Sequence, residues 1–200
     1  KIFINAEDLL RDSFKLAKQV YESNFKPDFI IGVWRGGAPV GIAIQEYLDY
    51  AGIETDHIAI RTSSYIGINQ QQKNVQVHGL DYLINNIGVN TKVLLVDDVF
   101  DSGHSIAAIL NSLAAKTGSN MPHTIKTACP WYKPERNQTN RVPDYYINVT
   151  DEWLVFPHEL KGLSRAELAL GKPLIADLLP RWIRAIFLNR QCKVGTVLAP

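Results

Sequence analysis

The segment from residue 93 to residue 105 contains the side chains best suited to do chemistry. Four apolar residues lead into two adjacent aspartates, Asp97 and Asp98, and a turn of small and polar residues follows. Successive backbone N–H groups in such a turn, at the start of a helix, can bind a phosphate. The predicted phosphate-binding residues are Asp101, Ser102, Gly103, His104 and Ser105.

Asp97 and Asp98 suit the two neighbouring hydroxyls of a ribose. Ionised carboxylates only accept hydrogen bonds, and sugar hydroxyls can donate them. We call Asp97 and Asp98 the diol clamp. A diol clamp next to a phosphate site predicts a binding site for a ribose 5-phosphate. The simpler alternative is a solvated turn after a strand, because Asp and Ser are common turn residues. The length and order of the whole segment favour the binding site.

Alternating strand and helix patterns predict an α/β fold, with a parallel sheet and helices on both of its faces. The predicted helices cover residues 6–23, 40–50 and 105–116, and the predicted strands cover residues 29–33, 57–60, 75–77, 92–96, 124–128 and 145–149. Ligands of such sheets bind at the carboxyl ends of the strands. Three unusual segments are expected there: 34–37, 97–105 and the polar segment 62–74, which is predicted as a long exposed loop.

The segment 93–105 resembles the signature of the type I phosphoribosyltransferases, which use phosphoribosyl pyrophosphate. Residues 31–37 resemble the pyrophosphate loop of that family, although Arg-Gly-Gly alone is more often an ordinary tight turn. The pyrophosphate-binding residues implied are Trp34, Arg35, Gly36 and Gly37. The resemblance covers residues 2–160 and implies the type I phosphoribosyltransferase fold with a small hood region.

Two further elements resemble the bacterial xanthine-guanine phosphoribosyltransferases. The segment with Ser63, Ser64 and Tyr65, followed by Asn69 and Gln70, resembles their mobile catalytic loop, which excludes water from a reactive sugar cation. The base-binding residues implied are Lys133, Trp153, Leu154 and Glu159. An indole gives a planar base a stacking face, and an ammonium donates to a 6-oxo group but not to a 6-amino group, which is itself a donor.

The resemblance implies transfer of a 5-phosphoribosyl group to guanine, xanthine or hypoxanthine in purine salvage, with release of pyrophosphate. It assigns Asp101 as general base or proton relay, and Mg²⁺ as cofactor with Asp97 as its protein contact. Two alternatives remain: a sensor of phosphoribosyl pyrophosphate without transferase activity, and a transferase for a non-purine base. His104 stands where Lys or Gly is more usual, so the charge of the phosphate loop would depend on pH; nothing in the sequence explains this residue.

Composition limits the remaining possibilities. A formal charge of +1 and 46% hydrophobic residues predict a folded protein without a general affinity for nucleic acid or membranes. Two cysteines, no signal-peptide pattern and no long apolar run favour a reducing cytoplasm. Residues 1–160 are predicted as the phosphoribosyltransferase domain. Residues 161–200 are predicted as a helical extension that packs on that domain or on a partner subunit of a homo-oligomer, a dimer or tetramer.

Overall fold

The computed structural model describes residues 1–66 and 73–180, and the side chains of residues 64–66 and 73–74 lie outside that description. The chain divides into two compact units, Lys1–His158 and Glu159–Pro200. In the first unit the helices are α1 (Ala6–Glu22), α2 (Gly37–Tyr50), α3 (Asp81–Asn86) and α4 (His104–Thr117). Its strands are β1 (Ile2–Phe3), β2 (Phe29–Trp34), β3 (Asp56–Ile66), β4 (Lys73–His78), β5 (Lys92–Val96), β6 (Val99–Phe100), β7 (Thr124–Tyr132), β8 (Tyr145–Val149) and β9 (Leu154–Val155). Among the described residues, no helix is both long and apolar enough to span a membrane.

The main sheet has seven strands in the order β4-β3-β2-β5-β7-β6, and β8 also pairs with β7. Every pairing in it is parallel except the one between β3 and β4. The predicted α/β fold with a largely parallel sheet is therefore confirmed. A separate two-stranded sheet is formed by β1 and β9.

Helices cover both faces of the main sheet, as predicted. Within β2, Ile30 packs into one core cluster with Leu16 of α1 and Ile44 of α2. Its neighbour Ile31 packs into a second cluster with Ile109 of α4. This alternation follows from the two-residue period of a strand, which directs successive side chains to opposite faces. An all-apolar strand is thus buried on both of its faces. The polar residues that follow it in the chain become exposed only where the strand ends.

The prediction of a loop over residues 62–74 was wrong for most of that segment. Strand β3 continues through Ile66, and it pairs in antiparallel register with β4 from Arg61 opposite His78 to Ile66 opposite Lys73. Polarity was a poor guide because backbone hydrogen bonds hold this hairpin together, and Val75 and Val77 alternate with exposed Gln76 and His78. Asn69 and Gln70 lie outside the described residues.

The other differences between the predicted and the observed elements concern their length. Strand β7 continues four residues beyond its predicted end, through Tyr132. The structure also contains elements too short to give a periodic pattern, which were not predicted: α3, β1, β6 and β9. The predicted helices near α1, α2 and α4 are confirmed, and Asn5 caps α1 by accepting a hydrogen bond from the backbone N–H of Asp8 at 2.7 Å.

The second unit contains α5 (Arg165–Gly171) and α6 (Pro173–Ala176). A capping box begins α5: Ser164 and Glu167 each accept a hydrogen bond from the other's backbone N–H, at 3.2 and 2.8 Å. Residues 161–200 were predicted as a helical extension; α5 and α6 are helical within it, and α6 ends at Ala176. A proline disfavours helical backbone at the residue before it, so Pro180 limits the helix. Residues 181–188 lie outside the described residues.

The ends of β2 and β5 lie side by side, and glycine makes their close approach possible. In the register of these strands, Gly32 pairs with Val96. The turn after β2 then passes so near to β5 that a Cβ atom on Gly37 would lie 2.2 Å from the carbonyl oxygen of Val96. By contrast, a Cβ atom on Gly41, one turn further along α2, would make ordinary contacts at 3.7 Å or more.

We expect Gly37→Ala to lower the free energy of unfolding by about 1–3 kcal/mol, because a methyl group there collides with backbone that cannot move aside. Gly41→Ala is the matched control in the same helix, and it should be neutral or stabilising by up to about 1 kcal/mol. Urea unfolding of both variants measures this. Equal stabilities for the two variants would contradict the close approach.

Candidate active site

Asp97 and Asp98 follow β5 directly and share a crowded, largely buried position. The backbone N–H of Asp98 donates to Oδ1 of Asp97 at 2.9 Å, and Asp98 is only 9% exposed. Burial raises the pKa of Asp97 well above its usual range, and the neighbouring charge of Asp98 raises it further. Two acceptors that repel each other in this way are suited to bind hydroxyl donors or a cation.

The predicted pyrophosphate loop lies against this pair of carboxylates. A Cβ atom on Gly36 would lie 1.7 Å from Oδ2 of Asp98, so only glycine lets the loop approach so closely. Trp34 and Arg35 are exposed at the end of β2, and the peptide bond between them is cis. The structure therefore brings the predicted diol clamp and the predicted pyrophosphate loop together.

The turn from Asp101 to Ser105 leads into α4 and lines a cavity. Gly103 has a φ of 77°, in the left-handed region that favours glycine, and it stands at the N-cap of α4. The first turn of this helix carries no acidic residue, so the positive end of the helix dipole is not neutralised and can attract an anion. The cavity has a volume of about 200 Å³, and it is lined by residues 97–103, Ser105 and Ile106.

Asp101 is held by two cations. Nζ of Lys133 lies 3.2 Å from Oδ2 of Asp101, and Nε of Arg136 donates to Oδ1 at 2.8 Å. Lys133 has a side chain only 8% exposed, whereas that of Arg136 is 59% exposed. The predicted catalytic carboxylate and the predicted base-binding lysine are thus in direct contact.

Trp153 was predicted to stack on a base, and its side chain is available for that. It is 64% exposed, with Nζ of Lys1 5.7 Å from the ring centre. Hydrogen bonds tie the segment before it to residues near Lys133, from the N–H of Glu135 to Oδ1 of Asp151 and from the N–H of Thr150 to the carbonyl of Tyr132, both at 3.1 Å.

The other predicted site residues are placed differently. Leu154 packs its side chain into the hydrophobic core, so only its backbone could meet a base. Glu159 belongs to the second unit, where its carbonyl accepts from Nζ of Lys172 at 2.7 Å. Ser63 hydrogen-bonds within its own hairpin, to Nε2 of His78 at 3.0 Å, and the side chains of Ser64 and Tyr65 lie outside the description.

Comparison with known proteins agrees with this geometry. The sequence profile of the phosphoribosyl transferase domain family matches residues 4–163. The chain belongs to the phosphoribosyltransferase family. No curated protein gave a significant sequence match.

Solved structures share the fold. A purine phosphoribosyltransferase from Pyrococcus horikoshii is 27% identical, with a TM-score of 0.63, over 82% of this chain and 96% of that one. A Neisseria gonorrhoeae protein with bound ppGpp is 21% identical, with a TM-score of 0.64, over 80% and 90% of the two chains. A xanthine-guanine-hypoxanthine phosphoribosyltransferase from Helicobacter pylori is 23% identical, with a TM-score of 0.60, over 77% and 90%. The predicted type I phosphoribosyltransferase fold is confirmed.

Sequence reasoning missed two residues that contact the carboxylates of this phosphoribosyltransferase. One is Arg136, which contacts Asp101 and was not among the predicted site residues. The other is His158, whose Nε2 lies 3.4 Å from Oδ2 of Asp98, and whose ring stacks on Phe156 at 5.8 Å between ring centres. A charge in a turn and a lone histidine give no sequence signal of their own, because their partners are far away along the chain.

Asp97→Asn should stabilise the fold at neutral pH. The folded pKa of Asp97 is raised above the unfolded value near 3.9, so its ionisation destabilises the folded state increasingly as pH rises from the unfolded pKa to the folded pKa. Above that window the cost is constant, and below it there is none. We expect Asp97→Asn to be more stable than the wild type at pH 7, and this gain should vanish below about pH 4.

Urea unfolding at a series of pH values measures this difference, with Asp49→Asn at an exposed helix position as the control. Asparagine can still accept the hydrogen bond from the N–H of residue 98, so the substitution tests the charge alone. A variant equally stabilised at every pH would contradict the assignment.

Proposed function

We propose that this phosphoribosyltransferase transfers the 5-phosphoribosyl group of phosphoribosyl pyrophosphate to a 6-oxopurine base, releasing pyrophosphate, in purine salvage. The observation that supports this proposal most directly is the contact of Lys133 with Asp101, at the start of the turn from Asp101 to Ser105. It puts a buried donor for an oxo group next to the carboxylate that would handle the proton of the base. The purine phosphoribosyltransferase from Pyrococcus horikoshii, 27% identical, supports a purine as acceptor.

The substrate would extend across the three segments at the strand ends. The 5-phosphate would bind the N–H groups of the turn from Asp101 to Ser105, and the ribose diol would bind Asp97 and Asp98. The diphosphate would bind the loop at Arg35 and Gly36. Trp153 would stack on the base, and Lys133 would donate to its 6-oxo group.

The proposed reaction exchanges one bond at C1 of the sugar for another. A ring nitrogen of the base supplies the electron pair of the new bond, and the diphosphate leaves with the pair of the old one. The imidazole proton of the base passes to the carboxylate of Asp101, which acts as general base.

Mg²⁺ is the proposed cofactor, and the carboxylates fit it. It prefers oxygen ligands and is often bound through one or two carboxylates and substrate phosphates. Asp97 offers such an oxygen, and a cation would relieve its repulsion with Asp98. Within the described parts of the chain, no group of three or more His, Cys, Asp or Glu residues could hold a metal, so substrate oxygens and waters would complete the shell. When bound, the ion would neutralise the leaving diphosphate.

A pyrophosphate-release assay with Mg²⁺ and phosphoribosyl pyrophosphate tests the proposal. The panel of acceptors is guanine, xanthine, hypoxanthine, adenine and uracil. We expect release with at least one 6-oxopurine and little with adenine. Release with uracil alone would favour the transferase for a non-purine base. Binding of phosphoribosyl pyrophosphate by calorimetry without release for any base would favour the sensor.

We also propose that the protein acts in the cytoplasm as a homo-oligomer, a dimer or tetramer. The proposal of an oligomer is based on the family, whose members generally assemble into oligomers. Light scattering that shows a monomer across a range of concentrations would contradict the oligomer.

Trp153→Ala should weaken the binding of the base much more than that of the sugar phosphate. Stacking of a base on an aromatic ring contributes about 1–3 kcal/mol, so we expect the KM for the base to rise roughly 5- to 100-fold. The KM for phosphoribosyl pyrophosphate should change little. Tyr50→Ala, at a side chain 95% exposed at the end of α2, is the control. An equal rise of both KM values would contradict the stacking role.

Asp101→Asn should lower kcat by roughly 10²- to 10⁴-fold, the range typical of general acid–base catalysis. Binding of phosphoribosyl pyrophosphate should persist, since the N–H groups of the turn remain. Steady-state kinetics and calorimetry together measure this, with thermal unfolding as a check on folding. Unchanged turnover would remove Asp101 from the mechanism.

A further inference from the structure

We propose that Arg136 is a positioning residue, which holds the carboxylate of Asp101 in place while Lys133 leaves it to bind the oxo group of the base. The inference rests on the proposed function and extends it. It gives this chain a residue that couples recognition of the base to its activation.

The first step is that the two oxygens of Asp101 have different partners. Oδ1 accepts from Nε of Arg136 at 2.8 Å, and Oδ2 lies 3.2 Å from Nζ of Lys133. The pKa of Arg136 is raised, chiefly by its hydrogen bond to Asp101. One cation can therefore depart without releasing the carboxylate from the other.

The second step is that the turn containing Arg136 is held by hydrogen bonds to the turn from Asp101 to Ser105. The backbone N–H of Gln138 donates to the carbonyl of Ser102 at 3.1 Å. The side chains of His104 and Gln138 hydrogen-bond at 2.9 Å. Oγ1 of Thr139 lies so close to Gly103 that a Cβ there would be 2.5 Å away. Arg136 is thus held relative to the loop that contains Asp101.

These contacts also give His104 a role that its sequence position did not suggest. Its ring binds Gln138, and it is not among the residues that line the cavity. The side chain of His104 therefore fastens the turn of Arg136, while its backbone N–H remains part of the start of α4.

The third step is chemical. Lys133 is almost fully buried, so its ammonium needs an acceptor at all times. Without base that acceptor is Asp101, and a 6-oxo group can replace it. Oδ2 of Asp101 is then free to take the imidazole proton of the base, while Arg136 still holds Oδ1.

A 6-aminopurine cannot make this exchange. Its amino group is a donor, so it offers Lys133 no acceptor that could replace Asp101. Both oxygens then stay paired, and the base is not activated. Adenine would therefore react with a lower kcat and would also bind more weakly.

Steady-state kinetics of single and double variants test the inference. We expect Arg136→Ala to lower kcat with hypoxanthine roughly 10- to 100-fold, with the KM for phosphoribosyl pyrophosphate within about 2-fold of the wild type. Arg136→Lys should recover part of the loss. Arg141→Ala removes the same charge from an exposed position in the same turn, and it should leave kcat unchanged.

The decisive variant is the double substitution Arg136→Ala with Asp101→Asn. If Arg136 acts through Asp101, removing it from the Asp101→Asn enzyme should change kcat less than about 2-fold. A further loss of 10-fold or more would overturn the inference, as would a single Arg136→Ala variant as active as Arg141→Ala. Thermal unfolding and binding of phosphoribosyl pyrophosphate confirm that each variant is folded.

The controls separate this inference from the proposed function. A wild-type enzyme that releases no pyrophosphate with any base would overturn both. An active wild-type enzyme whose Arg136 variants behave as wild type would overturn the role of Arg136 alone.

Discussion

Three carboxylates near the end of one buried strand impose the main constraint on this protein. Asp97, Asp98 and Asp101 repel one another, and two of them lie where water screens charge poorly. The protein compensates them unequally. Asp98 has His158 and Asp101 has two cations, whereas within the described residues no ion pair supports Asp97, and its pKa is raised. The uncompensated position is the one best placed to take a cation or a diol.

The sheet makes this concentration of charge possible. Parallel strands end at the same edge, so the turn after β2 and the turn after β5 meet there without any long excursion of the chain. Gly36 and Gly37 remove the side chains that would keep them apart. The apolar strands behind are buried on both faces, which gives the polar turns a rigid support.

The fold was largely predictable because its signals are local. The apolar run of β5 and the capped, periodic pattern of α1 each carry their evidence within a few residues. The strands predicted at 57–60 and 75–77 lie within β3 and β4, but they were predicted too short, because backbone pairing and not composition extends them. Ser63 thus lies in a strand, where polarity had predicted a loop. Two-residue strands such as β9 depend on partners far along the chain and have no pattern to detect.

For the candidate site, the order of residue types was enough to identify the segment from Asp97 to Ser105, since phosphate and diol binding need adjacent residue types in a fixed order. It also supplied Lys133 and Trp153 as candidates for the base. The cations that contact Asp101 become apparent only in the folded protein, because Arg136 lies 35 positions away along the chain and reaches Asp101 through a turn with no sequence signature. The same holds for His104 and Gln138, 34 positions apart. Charges and hydrogen bonds act over a few ångströms in space, and only the fold converts sequence separation into such distances.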